Sequence, residues 1–341
     1  WNVGRRLLFL WMDKANTGGD ILLKKKHKIW TQTRVFLWNI NISGPCGQFR
    51  FFRTGIAAAI YLNRSIVTIP FHNNHLFNVS KKRSIDETFD LTKLRTIVDL
   101  ATPDEFLSEC GRHFKPENVL LGPYFVTLAD SITLKSYSTA RSFFQRVMNI
   151  NLPESDDVVK YQDNLAKNRA NSSPVEVSSK VRCIIYLAQS KFGDKFEQAK
   201  CDRKIAGSFA RAPYVRHAAD IAVQQISDGS PYAVIHWRNK SGEICLNPSS
   251  HLCNGSKWQD DLKITNKYSD VIAEAIKKSL KDQNITILYV AAPPYPHKML
   301  LHLKKKVPNM KTENDITLPG EMNKLKEDNY VWSLIEQEIA E

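Results

Sequence analysis

Apolar and polar positions fall into clear periods from Val35 onward. Val35-Phe36-Leu37-Trp38-Asn39-Ile40 is a short apolar run bounded by turn residues, which predicts a buried strand. Ser43-Gly44-Pro45-Cys46-Gly47 interrupts it. Phe52, Ile56, Ala59, Ile60 and Leu62 then recur at helical spacing, and Ala57-Ala58-Ala59 adds intrinsic helix propensity. Ser65-Ile66-Val67-Thr68-Ile69-Pro70 predicts a second strand, β-branched and closed by proline, with Asn63 at the end of the helix before it. Strand, glycine loop, helix, strand is a βαβ unit.

Residues 71–210 are less legible. Leu94–Leu100 reads as a strand, Pro103–Cys110 as a helix capped by Thr102, and residues 151–180 as a polar loop or helical insert. Val181–Leu187 reads as a further strand. From Tyr214 the pattern repeats. Val215, Ala218, Ala219, Ile221, Ala222 and Ile226 mark a helix, Tyr232–Trp237 a strand and Tyr268–Leu280 an amphipathic helix. Ile285–Ala291 follows as a strand, then a helix opened by Pro294 and another from Tyr330 to Ala340. Alternation in both halves predicts an α/β fold with parallel sheets. A chain of 341 residues accommodates two domains. The division expected is 35–209 and 210–341, with a boundary near 205–214. Residues 1–34 lack periodicity and read as a leader, stem or sequence artefact. Within them Leu7-Leu8-Phe9-Leu10-Trp11-Met12 follows Arg5-Arg6, as at the end of a signal peptide or anchor. Membrane attachment is expected only through an N-terminal anchor preceding this sequence, since no apolar stretch reaches spanning length.

Composition changes this picture little, but charge, asparagine and cysteine change it more. With 43% hydrophobic and 24% charged residues the chain can bury a sizeable core. A net charge of +13 attracts phosphate groups, although runs such as Lys24-Lys25-Lys26, Lys81-Lys82-Arg83 and Lys304-Lys305-Lys306 also fit a solvated basic face. No zinc-finger spacing, RNA-binding aromatic pattern or basic zipper accompanies them, so nucleic acid is not an expected partner. Seven Asn-x-Ser/Thr sequons begin at Asn41, Asn63, Asn78, Asn171, Asn239, Asn254 and Asn284. Together with six cysteines, none in a CxxC, they predict a protein of the endoplasmic reticulum or Golgi lumen with one to three disulfides. Cys245–Cys253 is the preferred bridge, and buried free thiols are the alternative.

Three places could carry chemistry. The loop Ser43-Gly44-Pro45-Cys46-Gly47-Gln48 lets a backbone approach a ligand, and the helix behind it offers free N–H groups to an anion. It is equally readable as a tight turn. Tyr232-Ala233-Val234-Ile235-His236-Trp237-Arg238 ends a buried strand on a histidine and an arginine, where open α/β sheets meet their ligands. The Arg238 fork suits a diphosphate. A structural ion pair for Arg238 and a core role for His236 stay open. Tyr289-Val290-Ala291-Ala292-Pro293-Pro294 could line the same crevice or be a plain helix entry.

Taken together, Gly44-Pro45-Cys46-Gly47-Gln48, the small-residue helix and Leu62-Asn63-Arg64-Ser65-Ile66-Val67-Thr68-Ile69-Pro70 resemble the N-terminal signature of the GDP-fucose protein O-fucosyltransferases. Glu87-Thr88-Phe89-Asp90-Leu91-Thr92-Lys93-Leu94 resembles the segment that follows, in which Phe-Asp starts a short helix. His236-Trp237-Arg238 matches a His-x-Arg strand end. The segments at Tyr289–Pro294 and Trp332–Ile339 resemble two later ones, all in order over residues 35–340. The resemblance implies two Rossmann-like domains facing a cleft, the B-type glycosyltransferase architecture. It implies GDP-fucose as donor, a protein Ser or Thr hydroxyl as acceptor, and inversion at the sugar carbon with no bound metal or other cofactor. By the same resemblance Arg238 would be catalytic, stabilising charge on the departing GDP. Gly44, Gly47, Gln48 and His236 would contact substrate. The family's loop Asn is absent here, with Gly47 or Gln48 near its place, and the strand at Val290 lacks an Asp found in some relatives. A Ser/Thr-rich nucleotide motif would follow Glu341, so the C-terminal domain is expected to be incomplete. Two rivals remain at this stage. One is a catalytically inactive relative that binds nucleotide or partner only. The other is a basic glycosylated binding module.

Overall fold

The computed structural model describes residues 35–38, 45–72, 82–121, 131–168, 181–187, 205–237, 241, 244–245, 253–292 and 298–341. They belong to two compact units, one within Leu22–Pro213 and the other containing Tyr214–Glu341.

The first unit opens with β1 (Val35–Trp38) and α1 (Pro45–Leu62). Phe52, Ile56, Ala58 and Ala59 of α1 are fully buried. The helix stops in a glycine-type cap made by an asparagine. Asn63 takes φ 53°, its N–H donates to Ile60 O (3.2 Å), and Arg64 N–H donates to Ala59 O (2.9 Å). This satisfies the last carbonyls and turns the chain into β2 (Ser65–Val67). A small antiparallel pair follows, β3 (Phe71–His72) with β4 (Lys82–Arg83). Next comes α2 (Leu91–Leu94), whose N-cap Asp90 accepts from the backbone N–H groups of Thr92 and Lys93. That cap corrects the strand expected at Leu94–Leu100. The local Asp90 bonds commit the segment to a helical turn, and only β5 (Leu100–Ala101) is extended. Helix α3 (Pro103–Cys110) carries the expected Thr102 cap as a full capping box with Glu105. Then come β6 (Val119–Leu121), α4 (Ser131–Met148), α5 (Ser155–Asn168) and β7 (Cys183–Leu187).

The five-stranded sheet runs β5-β2-β1-β7-β6, and every described pairing in it is parallel. β1 is central, with Phe36 opposite Ile66 on one side and Ile184 on the other. A disulfide joins Cys110 at the end of α3 to Cys183 at the start of β7.

The second unit contains α6 (Pro213–Ser227), β8 (Tyr232–His236), α7 (Lys257–Asp282), β9 (Ile287–Ala291), α8 (Lys298–Lys306), β10 (Met310–Lys311) and α9 (Asn329–Ile339). Its sheet order is β10-β9-β8, again parallel. Leu288 and Val290 of β9, Ala273 and Leu280 of α7, and Met299 and Leu303 of α8 form one buried cluster. The second disulfide is the expected Cys245–Cys253. α7 starts eleven residues before the expected Tyr268, because its first turns are polar and leave little apolar signal. The helix expected from Pro294 is described from Lys298. The α/β class with parallel sheets holds in both units. The leader reading of residues 1–34 lies outside the described residues.

Candidate active site at two strand ends

The carboxyl end of β1 is the point where the first sheet changes direction. The chain leaves β1 through α1 to β2 on one side, while β7 lies on the other. Crevices for ligands in open α/β sheets form at such switch points. The segment leaving β1 leads into the N-terminus of α1, whose first turn holds no acidic residue. The positive end of the helix dipole is therefore uncompensated there by a carboxylate of its own. Gly44 lies outside the described residues. Gly47 and Gln48 sit in the first turn of α1, and Gln48 is only 1% exposed.

Beneath this turn is an aromatic cluster that sequence periodicity did not reveal. Phe49 meets Phe71 and Phe89 edge-on, each with ring centroids 5.3 Å apart, and Phe209 lies 4.2 Å from Phe89. The Arg211 guanidinium stacks over two of these rings, 4.5 Å from the Phe49 centroid and 4.9 Å from that of Phe89. A buried cation thus lies against the first full turn of α1. Its sequence signal was faint: Phe209-Ala210-Arg211 sits just before a helix, with no partner nearby in sequence. Arg211 bridges to Phe89, and Ala212 N–H donates to Thr88 O at 3.0 Å, which fixes the segment.

In the second unit β8 delivers His236 to the same end of its sheet as β9 delivers Ala291. The two residues are register partners, and Trp237 N–H donates to Ala291 O at 2.8 Å. The pairing therefore continues one residue beyond β8. It buries the Trp237 ring, 7% exposed, while His236 is exposed. The Trp237 indole N–H has no hydrogen-bond acceptor among the described residues. The His-x-Arg strand end and the start of the Ala291–Pro294 segment are thus neighbours, as the sequence suggested. Arg238, Pro293 and Pro294 lie outside the described residues.

Behind β9 a buried tyrosine meets a half-buried carboxyl. The Tyr289 hydroxyl donates to Glu336 Oε1 at 3.2 Å. Burial raises the Glu336 carboxyl to about 7, with the hydroxyl bond opposing the shift and the charge of Glu313 adding to it. Burial likewise pushes the Tyr289 phenol far above its usual range. Among the described residues no group of three His, Cys, Asp or Glu is placed to hold a metal ion.

A family model for GDP-fucose protein O-fucosyltransferases matches residues 44–340, a span that includes α1 and the end of β8 but begins after β1. The chain belongs to that family, whose members are glycosyltransferases that move fucose from GDP-fucose to protein. No curated protein matches the chain. Similar solved structures include POFUT1 in complex with GDP, at 12% identity over 91% of this chain and 95% of that one, with a TM-score of 0.46. POFUT1 in complex with GDP-fucose is similar at 12% identity over 89% and 92%, with a TM-score of 0.45.

Proposed function

We propose that the chain transfers fucose from GDP-fucose to a Ser or Thr hydroxyl on a folded protein domain in the lumen of the secretory pathway. The observation that carries this reading is a family match running from the α1 turn, through His236, to α9. In this reading the two units are Rossmann-like domains of a B-type glycosyltransferase. The acceptor oxygen attacks the anomeric carbon from the face opposite the nucleotide. The bond from that carbon to the β-phosphate oxygen breaks, configuration inverts, and the acceptor proton leaves as the new glycosidic bond forms. Charge develops on the departing GDP without a bound metal, and the Arg238 guanidinium stabilises it through two parallel hydrogen bonds. His236, held by β8 at the sheet edge, contacts the nucleotide. Gly44, Gly47 and the N–H groups at the start of α1 approach the donor and the reacting centre.

One observation favours a second reading, a relative that binds nucleotide without turning it over. The family's loop Asn is missing, and Gln48 near its place is withdrawn from solvent. A thermal shift with GDP, with UDP as control, and then a fucose-transfer assay separate the readings. The proposed enzyme is stabilised by GDP and not by UDP. It transfers fucose, and Arg238→Ala lowers turnover by roughly 100-fold or more. Stabilisation without transfer establishes the second reading, and no response to GDP removes both.

A further inference from the structure

Helix α7 carries two opposite faces with different work to do. Its inner face, with Ser269, Ala273 and Leu280 buried and Ile272 and Ile276 packed beside them, closes the core of the second unit. The outer face is also apolar at its centre. Ile264 is 54% exposed, Tyr268 48% and Val271 63%, and Ala275 is exposed beside them. Their spacing of four, three and four residues keeps all four on one seam, the interval at which helices meet other helices. Monomeric proteins scatter exposed apolar side chains singly, whereas a continuous stripe marks an interaction surface.

The same alternation of three and four continues past the apolar stretch in both directions. It reaches Asp261 and Lys257 toward the N-terminus, and Lys278 and Asp282 toward the C-terminus. Read from either end, the seam has a charge at its tip, the opposite charge one step in, and apolar residues in the middle. Against a second copy running antiparallel, Lys257 falls opposite Asp282 and Asp261 opposite Lys278. Ile264 then meets Ala275, and Tyr268 meets Val271. All four outer positions then face a residue of opposite charge. A parallel pair would instead set each charge against its own copy. The seam is therefore self-complementary under a two-fold axis crossing α7 between Ser269 and Asp270, the condition for a closed homodimer.

We propose that this face of α7 is the contact of a symmetric homodimer, with the α7 helices of two copies packed antiparallel. The contact is one seam between two helices about 39 Å long, with apolar residues at only four positions of each, a narrow interface. The dimer is accordingly weak and forms in proportion to concentration.

Sedimentation equilibrium of the full chain over a concentration series tests this. The wild type rises from monomer toward dimer mass. Val271→Glu abolishes the rise. Asp261→Lys and Lys278→Asp each set two like charges opposite one another and weaken the dimer by about tenfold. An equimolar mixture of these two variants recovers dimer, because each lysine pair then faces an aspartate pair across the axis. Melting curves unchanged from wild type establish that the variants are folded. A monomer mass up to the solubility limit overturns the proposal. So does a dimer indifferent to Val271→Glu, and so does a mixture that fails to recover.

Discussion

The two units use the same parallel-sheet plan and hold it together by different chemistry. Around the first turn of α1 the first unit packs Phe49, Phe52, Phe71, Phe89 and Phe209 against one another, and a buried cation, Arg211, rests on ring faces. Such contacts do not titrate near neutral pH. Behind β9 the second unit sets an ionisable pair together, the buried Tyr289 and the half-buried Glu336, and Lys326 donates to the backbone carbonyls of Glu313 and Ile316. The covalent ties differ as well, with a sequence separation of 73 for Cys110–Cys183 and 8 for Cys245–Cys253. The lesson is that one architecture can place its sensitivity to solution conditions in one half. The first unit responds to what disturbs packing and long-range closure, and the second to protons.

The largest expected break in that contrast is the long disulfide. Replacing Cys110 and Cys183 together by serine frees a large loop in the unfolded chain and costs about 4 kcal/mol, against about 2.5 kcal/mol for Cys245 and Cys253. Denaturant titrations of the two double variants check the order, and equal losses would erase the contrast. Next comes Glu336→Gln. The folded carboxyl holds its proton to about pH 7, well above its ordinary value of 4.5. Between those two values the native state binds a proton that the unfolded chain has released, so stability falls as pH rises through this window and the full cost is present above it. Glu336→Gln mimics the protonated form. It should raise stability above pH 7 by something on the order of 3 kcal/mol and flatten the pH profile of Tm, leaving stability below pH 4.5 nearly unchanged. A profile as steep as the wild type's would place the titrating group elsewhere. The smallest effect lies in the first unit. Asn63→Gly at φ 53° should stabilise by about 0.5 kcal/mol, because glycine takes that conformation freely, and Asn63→Ala should cost about 1 kcal/mol. Both remove the sequon at Asn63, so the comparison is made on unglycosylated protein.

Much of the frame was legible in the residues, and the reasons differ by element. The β1–α1–β2 unit announced itself because a buried strand, a one-faced helix and a β-branched strand occupy consecutive segments with turn residues between them. Thr102 and Glu105 spelled a capping box in four letters. Helix α4 passed unseen, although its described buried positions, Tyr137, Ala140, Phe143, Phe144 and Met148, recur at helical spacing. β6 and β10 are two or three residues long, below the length at which alternation can be recognised. The Cys110–Cys183 pairing could not be read, since nothing local relates residues that meet only when β7 enters the sheet. At the site, the strand ends were visible as pattern, but the roles given to His236 and Arg238 came from family resemblance. The ring-stacked Arg211 shows why: its environment is assembled from four separate segments.

The order β5-β2-β1-β7-β6 also dictates an order in time. β6 is synthesised before β7, yet its only described neighbour in the sheet is β7. As the chain emerges at roughly 5–20 residues per second, β6 waits several seconds for its partner. β1, β2 and β5 already have one another. During that wait one edge of β1 is open and the Cys110 thiol has no mate. The nascent protein passes through a stage with an unpaired strand edge and an unpaired thiol, and β7 ends both exposures at once.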